Sequence, residues 1–144
     1  FEVLGEAVGV TVVDDYAHHP TQISGVLRAA RERYGDRRLV AVWEPHTFSR
    51  IRALHDAFMD AFDEADRVAI MPIYAAREPD DGTLTSADLV ERVNHPDVWS
   101  EGTLDGVVSR LADAVEAGDV VLMMGAGNET IAGMKLLEAL RKAS

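Results

Sequence analysis

The sequence predicts an α/β fold: an open, mostly parallel sheet of about six strands, one of them an antiparallel edge strand, with helices on both faces. Three observations carry this. Short apolar or β-branched runs alternate with segments of helical period along the 144 residues. The runs are apolar throughout rather than alternating, as strands covered on both faces must be. Residues suited to helix ends, such as Pro20, Gly35 and Ser49, punctuate the pattern. Right-handed crossovers then make the sheet doubly wound.

Taken in order, "FEVLGEAVGVTVVDD" reads as two short strands around a Gly5–Gly9 turn, the second over 10–13, with the first antiparallel at an edge. Pro20 suits the first turn of a helix, where its missing N–H costs nothing. Ile23, Val26, Leu27 and Ala30 give that helix an apolar face, and Gly35 is its stop. "RLVAVW" (38–43) is a buried strand. Ser49 is placed to cap a helix bearing Ile51, Leu54, Phe58 and Phe62. "RVAIMPI" (67–73) is the next strand, followed by the loop "YAAREPDDGTLT". A short helix over 86–93, a weak strand near Val98 and a helix with Val107, Val108, Leu111 and Val115 come next. "DVVLMM" (119–124) is the last strand, and "GAGNET" leads to a helix with Ile131, Met134, Leu137 and Leu140. No linker or repeat interrupts this, so residues 1–144 read as one domain.

Composition narrows the function. Fourteen basic against 25 acidic residues give a net charge of −11, which argues against a nucleic-acid or anionic-membrane surface. A small anion held by one or two local cations remains compatible with it. The absence of cysteine suits a reducing cytosol. No apolar run approaches the roughly 18 residues of a membrane span. The start at Phe1, inside a strand pattern, suggests a piece of something larger.

In open α/β sheets ligands bind beyond the carboxyl ends of the strands. Four polar loops fall there: "DDYAHHP", "EPHTFSR", "YAARE" and "GAGNET". In the first, Asp14 and Asp15 point to opposite sides if still in a strand, so one of them faces the crevice. A carboxylate there can accept ribose hydroxyls or hold Mg²⁺ through water. His18 and His19 either donate to phosphate oxygens or belong to a polar turn and helix cap. In the second, His46 and Arg50 beside a helix start form either a carboxylate or phosphate receptor, or a solvated first turn. His55 reads as a half-buried helix residue and His95 as a surface turn. Gly125 and Gly127 permit close backbone approach to a ligand, although Thr130 breaks the G-x-G-x-x-G pattern. No G-x-x-x-x-G-K-[ST] phosphate loop occurs in the sequence.

In order and spacing, "GVTVVDDYAHHPTQI", "EPHTFSRIRALHDAF", "DRVAIMPIYAAREPDDG" and "VLMMGAGNETI" resemble the C-terminal domain of the Mur ligase family, over essentially the whole chain. The resemblance implies a Rossmann-like domain that closes over a nucleotide and brings the incoming amino acid. The UDP-sugar domain and the central ATPase domain would lie outside this chain, which explains the missing phosphate loop. It further implies a cytoplasmic ligase of peptidoglycan synthesis. On that resemblance ATP would phosphorylate the carboxylate of UDP-N-acetylmuramate, the amine of L-alanine would attack the acyl phosphate, and Mg²⁺, held mainly by the central domain, would offset the charge of the phosphates. By position, Asp15, Tyr16, His18 and His19 match the family's ATP side. His46 and Arg50 match the residues that hold the L-alanine carboxylate, and Gly125, Gly127 and Asn128 the loop that approaches the amino acid. No catalytic residue and no metal ligand is carried over to this domain alone. Many relatives have Arg after the motif His, and Thr47 stands there here, leaving Arg50 the one cation of the loop. A murein-tripeptide recycling branch shares a "DDFAHHP"-like segment but has "PRSNTM" where this chain has "PHTFSR". The remaining alternative is a nucleotide-binding or interaction module without chemistry.

Overall fold

A computed structural model describes residues 1–143. Six strands form one sheet: β1 (Glu2–Ala7), β2 (Val10–Asp15), β3 (Leu39–Trp43), β4 (Arg67–Ile70), β5 (Val98–Ser100) and β6 (Val120–Met124). Their order is β1-β2-β6-β3-β4-β5; β1 runs antiparallel to β2 and every other pairing is parallel. The helices are α1 (Pro20–Tyr34), α2 (Phe48–Ala53), α3 (His55–Met59), α4 (Ser86–Arg92), α5 (Leu104–Ala114) and α6 (Glu129–Ala143).

Because successive strand residues face opposite ways, each apolar run feeds two cores. Leu39, Ala41 and Trp43 join Ile23 and Leu27 of α1, Ile51 of α2, Phe58 of α3 and Leu89 of α4. Val40 and Val42 join Val107 and Leu111 of α5 and Leu136, Leu137 and Leu140 of α6. This two-sided burial is why the strands carry no polar alternation.

The chain moves outward from β2 through β3 and β4 to β5, then returns to insert β6 between β2 and β3. The crevice expected at such a reversal lies beyond the carboxyl ends of β2, β6 and β3. At the opposite rim, Arg38 grips Asp119 through two bonds of 2.9 and 2.5 Å and reaches the Ala114 carbonyl at the end of α5. Arg37 reaches the Gly118 carbonyl and the Thr11 hydroxyl. The two arginines stitch β2, β3, β6 and α5 together away from the site.

Several local expectations shift. Gly5 lies inside β1 at a register irregularity, and the turn is at Val8–Gly9, where both φ values are positive. β2 continues to Asp15, and β4 ends at Ile70. The single helix expected after β3 is two, separated by a turn at Leu54 (φ −117°), and Phe62 packs from the turn beyond. Thr47, not Ser49, is the cap of α2. On α6, Ile131 and Met134 are each 51% exposed, while Ala132 and Gly133 face the sheet. A Cβ on Gly133 would lie 2.7 Å from Leu4 Cδ1, so α6 approaches β1 closely there. His95 is half-buried: its Nε2 donates to the Ala65 carbonyl (2.7 Å) and its Nδ1 accepts from Asp97 N–H (3.0 Å), tying α4 to the sheet.

Candidate active site at the carboxyl rim of the sheet

β2 and β3 are both still paired to β6 where they end, so the loops after them leave the sheet side by side. Asp14 and Asp15 diverge as their alternation requires. Asp14 Oδ2 accepts from the Thr130 hydroxyl (2.9 Å) on the α6 side, while its Oδ1 is buried without a partner. Burial, only partly offset by Thr130, raises the Asp14 pKa, and Glu129 adds to the rise. Asp15 turns to the α1 side, where it meets the Phe1 nitrogen at 2.6 Å. There it lines a cleft of about 450 Å³ with Phe1, Tyr16, Gln22, Gly25, Val26 and Ala29.

Four rings then cross the rim. Tyr16 meets His18 edge-on at 4.9 Å between centroids, and His18 meets His46 at 6.0 Å. His46 stacks on Tyr74 at 5.3 Å and 20°. The backbone sets this order. His46 and Tyr74 form a parallel bridge, with Thr47 N–H on the Tyr74 carbonyl and Tyr74 N–H on the Pro45 carbonyl, both 2.8 Å. Thr47 holds φ 63° and ψ 138° there, a costly conformation for a β-branched residue, of about 1–3 kcal/mol. Its hydroxyl accepts the Arg50 N–H (3.4 Å), capping the helix.

Hydrogen-bond roles follow from partners that act only one way. A guanidinium only donates, so His46 Nδ1 accepts from Arg50 Nη1 (3.1 Å) and the neutral ring carries its proton on Nε2. Burial, Arg50 and His18 lower the His46 pKa, which favours that neutral form. A carbonyl only accepts, so His18 Nδ1–H donates to the Tyr16 carbonyl (2.9 Å), leaving Nε2 an acceptor. Neutral His18 therefore offers a phosphate no free donor, whereas His46 and Arg50 offer adjacent donors. His19 sits exposed at the α1 cap position and makes no side-chain cap bond.

The α2 start, expected to receive a substrate carboxylate, already holds one. Glu78 accepts from both Ser49 N–H (3.1 Å) and the Ser49 hydroxyl, and the hydroxyl bond leads the causes that lower its pKa. The "GAGNET" loop is likewise engaged. Asn128 N–H donates to Glu44 Oε1 (2.8 Å) and Gly127 N–H to Glu129 Oε2 (2.9 Å). Glu44 is only 1% exposed, and burial, reinforced by Glu129, raises its pKa to about 7. Gly125 and Gly127 make room for these side chains. Added Cβ atoms would lie 2.9 Å from Glu44 Cβ and Glu44 Oε1 respectively, the latter also 2.9 Å from the Tyr74 ring.

Glu44, Tyr74, Glu78 and Glu129 are the residues that sequence reasoning passed over. The signal for Glu44 was an acid directly continuing a five-residue apolar strand, where burial is hard to avoid.

Residues 1–127 match the family described as Mur ligase, glutamate ligase domain. Over 144 residues the chain is 46% identical to a UDP-N-acetylmuramate--L-alanine ligase of Caldanaerobacter subterraneus subsp. tengcongensis. The chain belongs to the Mur ligase family. That alignment covers 99% of the chain and 31% of the relative, so the chain spans about a third of the length of the ligase it matches. Among solved structures, a murein peptide ligase from Psychrobacter arcticus superposes with a TM-score of 0.80 at 26% identity, covering 97% of this chain and 29% of that one. A UDP-N-acetylmuramate-alanine ligase from Thermotoga maritima does so with 0.78 at 22%, covering 100% and 30%, and this likeness speaks to the fold. Both structures thus share the fold described here.

Proposed function

We propose that this chain is the amino-acid-presenting C-terminal domain of a cytoplasmic, ATP-dependent ligase that joins L-alanine to UDP-N-acetylmuramate in peptidoglycan synthesis. The similarity along 99% of the chain to a ligase of that name supports the substrate choice. The observation that carries the reading is the pairing of Arg50 Nη1 with His46 Nδ1 at 3.1 Å, which leaves His46 Nε2–H and the other guanidinium N–H groups as donors on the rim. Alanine offers only an amine, a methyl and a carboxylate. Methyl burial contributes about 1 kcal/mol or less, so aim must come from the ends, and a guanidinium beside an imidazole N–H matches a carboxylate. Asp15, with Tyr16 and His18 beside it, forms the nucleotide side in this reading, and His19 a solvent-facing flank.

In the reaction the muramate carboxylate is activated as an acyl phosphate. The alanine nitrogen bonds to the acyl carbon, the carbon–oxygen bond to phosphate breaks, and the amine proton is released. This chain's part is to hold the amino acid in line and cover the junction from water. Among the described residues no three His, Asp or Glu side chains are grouped to hold a metal ion. In this reading the Mg²⁺ that ATP brings is held mainly by the central domain. No helix among the described residues is long and apolar enough to cross a membrane.

The test is phosphate release by the full-length protein, which should require both UDP-N-acetylmuramate and L-alanine. Asp15→Ala should raise the KM for ATP more than that for alanine. Release that needs a peptide instead of alanine would favour the recycling reaction, and release that needs neither would remove the ligase reading.

A further inference from the structure

On the α5–α6 side of the rim lies a cleft of about 400 Å³. Met71, Ile73 and Leu104 give it apolar walls, Tyr74 and Asn128 neutral polar groups, and Glu44 the one charged side chain that lines it among the described residues. The surrounding loop is built around that carboxylate. Asn128 N–H binds it, and Gly125 and Gly127 lack the Cβ atoms that would strike it. Folding alone does not ask for a charge here. A glutamine oxygen would accept the same Asn128 N–H without placing a second carboxylate near Glu129. A lone carboxylate in a small, otherwise uncharged cleft is complementary to a primary ammonium on a short alkyl group.

We propose that Glu44 receives the amino group of the incoming amino acid in this cleft. The short side chain then lies against Met71, Ile73 and Leu104. The carboxylate is left to His46 and Arg50, two and six residues further along the same segment. This assignment rests on the alanine-ligase reading for its substrate and on the cleft for its chemistry. Burial first, then Glu129, disfavour the charged form of Glu44, while the Asn128 and Gly127 amides favour it. Among the described residues no other charged side chain lines the cleft. Amine binding should accordingly weaken as pH falls through the neutral range.

In the full-length enzyme, Glu44→Gln should raise the KM for alanine roughly tenfold or more, the usual cost of a lost charge-assisted bond. The acid limb of alanine kcat/KM near neutrality should disappear, with the KM for ATP unchanged. Propionate keeps the methyl and carboxylate but has no amine, and should inhibit wild type and variant equally. Ethylammonium, which has no carboxylate, should shift the Asn128 amide resonance in wild type and not in the variant. Unchanged alanine kinetics in the variant overturn the proposal, as does a loss of propionate inhibition equal to the loss for alanine, which marks a general structural defect. If wild type does not use alanine at all, the ligase reading falls; the ethylammonium shift then stands as the test, and its absence overturns the amine site.

Discussion

Arg50 and Glu44 differ in what they cost the fold. Arg50 is half-buried, its backbone capped by Thr47 and one guanidinium nitrogen on His46. Lysine at position 50 would keep the charge and lose the fork. Arg50→Lys in the full-length enzyme is therefore expected to raise the alanine KM and lower kcat, leaving the KM for ATP near wild type. Steady-state kinetics with each substrate varied will check this, and unchanged alanine kinetics would leave Arg50 a structural partner of His46 and nothing more. Glu44 is a standing expense. Its pKa rises from 4.5 to about 7. Between those values the folded chain keeps a proton that the unfolded chain has released, so its contribution to stability falls as pH rises through that window and levels off above it. Glu44→Gln should then be more stable than wild type at pH 8 by up to about 3 kcal/mol, at 1.36 kcal/mol per unit. The gain should close as pH approaches 4.5, and urea titrations across this range will read it. A gain that ignores pH would mean that burial does not set the titration. A variant steadier yet poorer with alanine would mark Glu44 as retained for function.

The elements show where the sequence was legible and where it was not. α1 was readable from end to end, because Pro20, the Ile23–Leu27–Ala30 stripe and Gly35 are local signals, and the structure uses all of them. α2 was not, since its start depends on Thr47 at positive φ, held by the distant Tyr74, and on Glu78 reaching Ser49 from the next loop. The four loops could be assigned to one rim from topology alone, but what each loop binds could not. The glycines of "GAGNET" read as room for a ligand, while in the structure they are room for Glu44 and Tyr74. Two glycine substitutions separate these cases. Gly127→Ala forces a Cβ to within 2.9 Å of Glu44 Oε1 and of the Tyr74 ring. Overpacking of this kind costs about 1–3 kcal/mol. Gly25→Ala, in the middle of α1 with nothing within 4 Å of the new methyl, should instead stabilise by roughly 0.5–1 kcal/mol. Thermal melts of both variants will decide; a neutral Gly127→Ala would mean that the loop gives way easily and does not fix Glu44.

At the scale of the whole molecule, the sheet is the shared wall of two cores, and neither core can be lost alone. Removing α5 and α6 would bare Val40, Val42, Val121 and Met123; removing α1 to α4 would bare Leu39, Ala41, Trp43 and Leu122. The bidentate Arg38–Asp119 pair ties the strands at the far rim, so the layers are coupled along the strands as well as across them. The isolated chain should therefore unfold in one step, and, with no G-x-x-x-x-G-K-[ST] phosphate loop in its sequence, it is expected to turn over no ATP by itself. Two tryptophans allow the test. Trp43 is fully buried in the first core, stacked on Phe58 at 5.1 Å, and Trp99 packs against the second. Trp99→Phe leaves a reporter on the α1 side, and Trp43→Phe leaves one on the α5 side. In each background the fluorescence transition in urea should coincide with loss of helical circular dichroism. Leu111→Ala empties space in the α5 layer and should cost about 2–5 kcal/mol. If the sheet couples the layers, this substitution lowers the Trp43 midpoint as far as the Trp99 midpoint, although Leu111 and Trp43 sit in different cores. A Trp43 transition left in place while that of Trp99 moves would show two independently melting layers, and would refute the single cooperative unit on which a rigid rim depends.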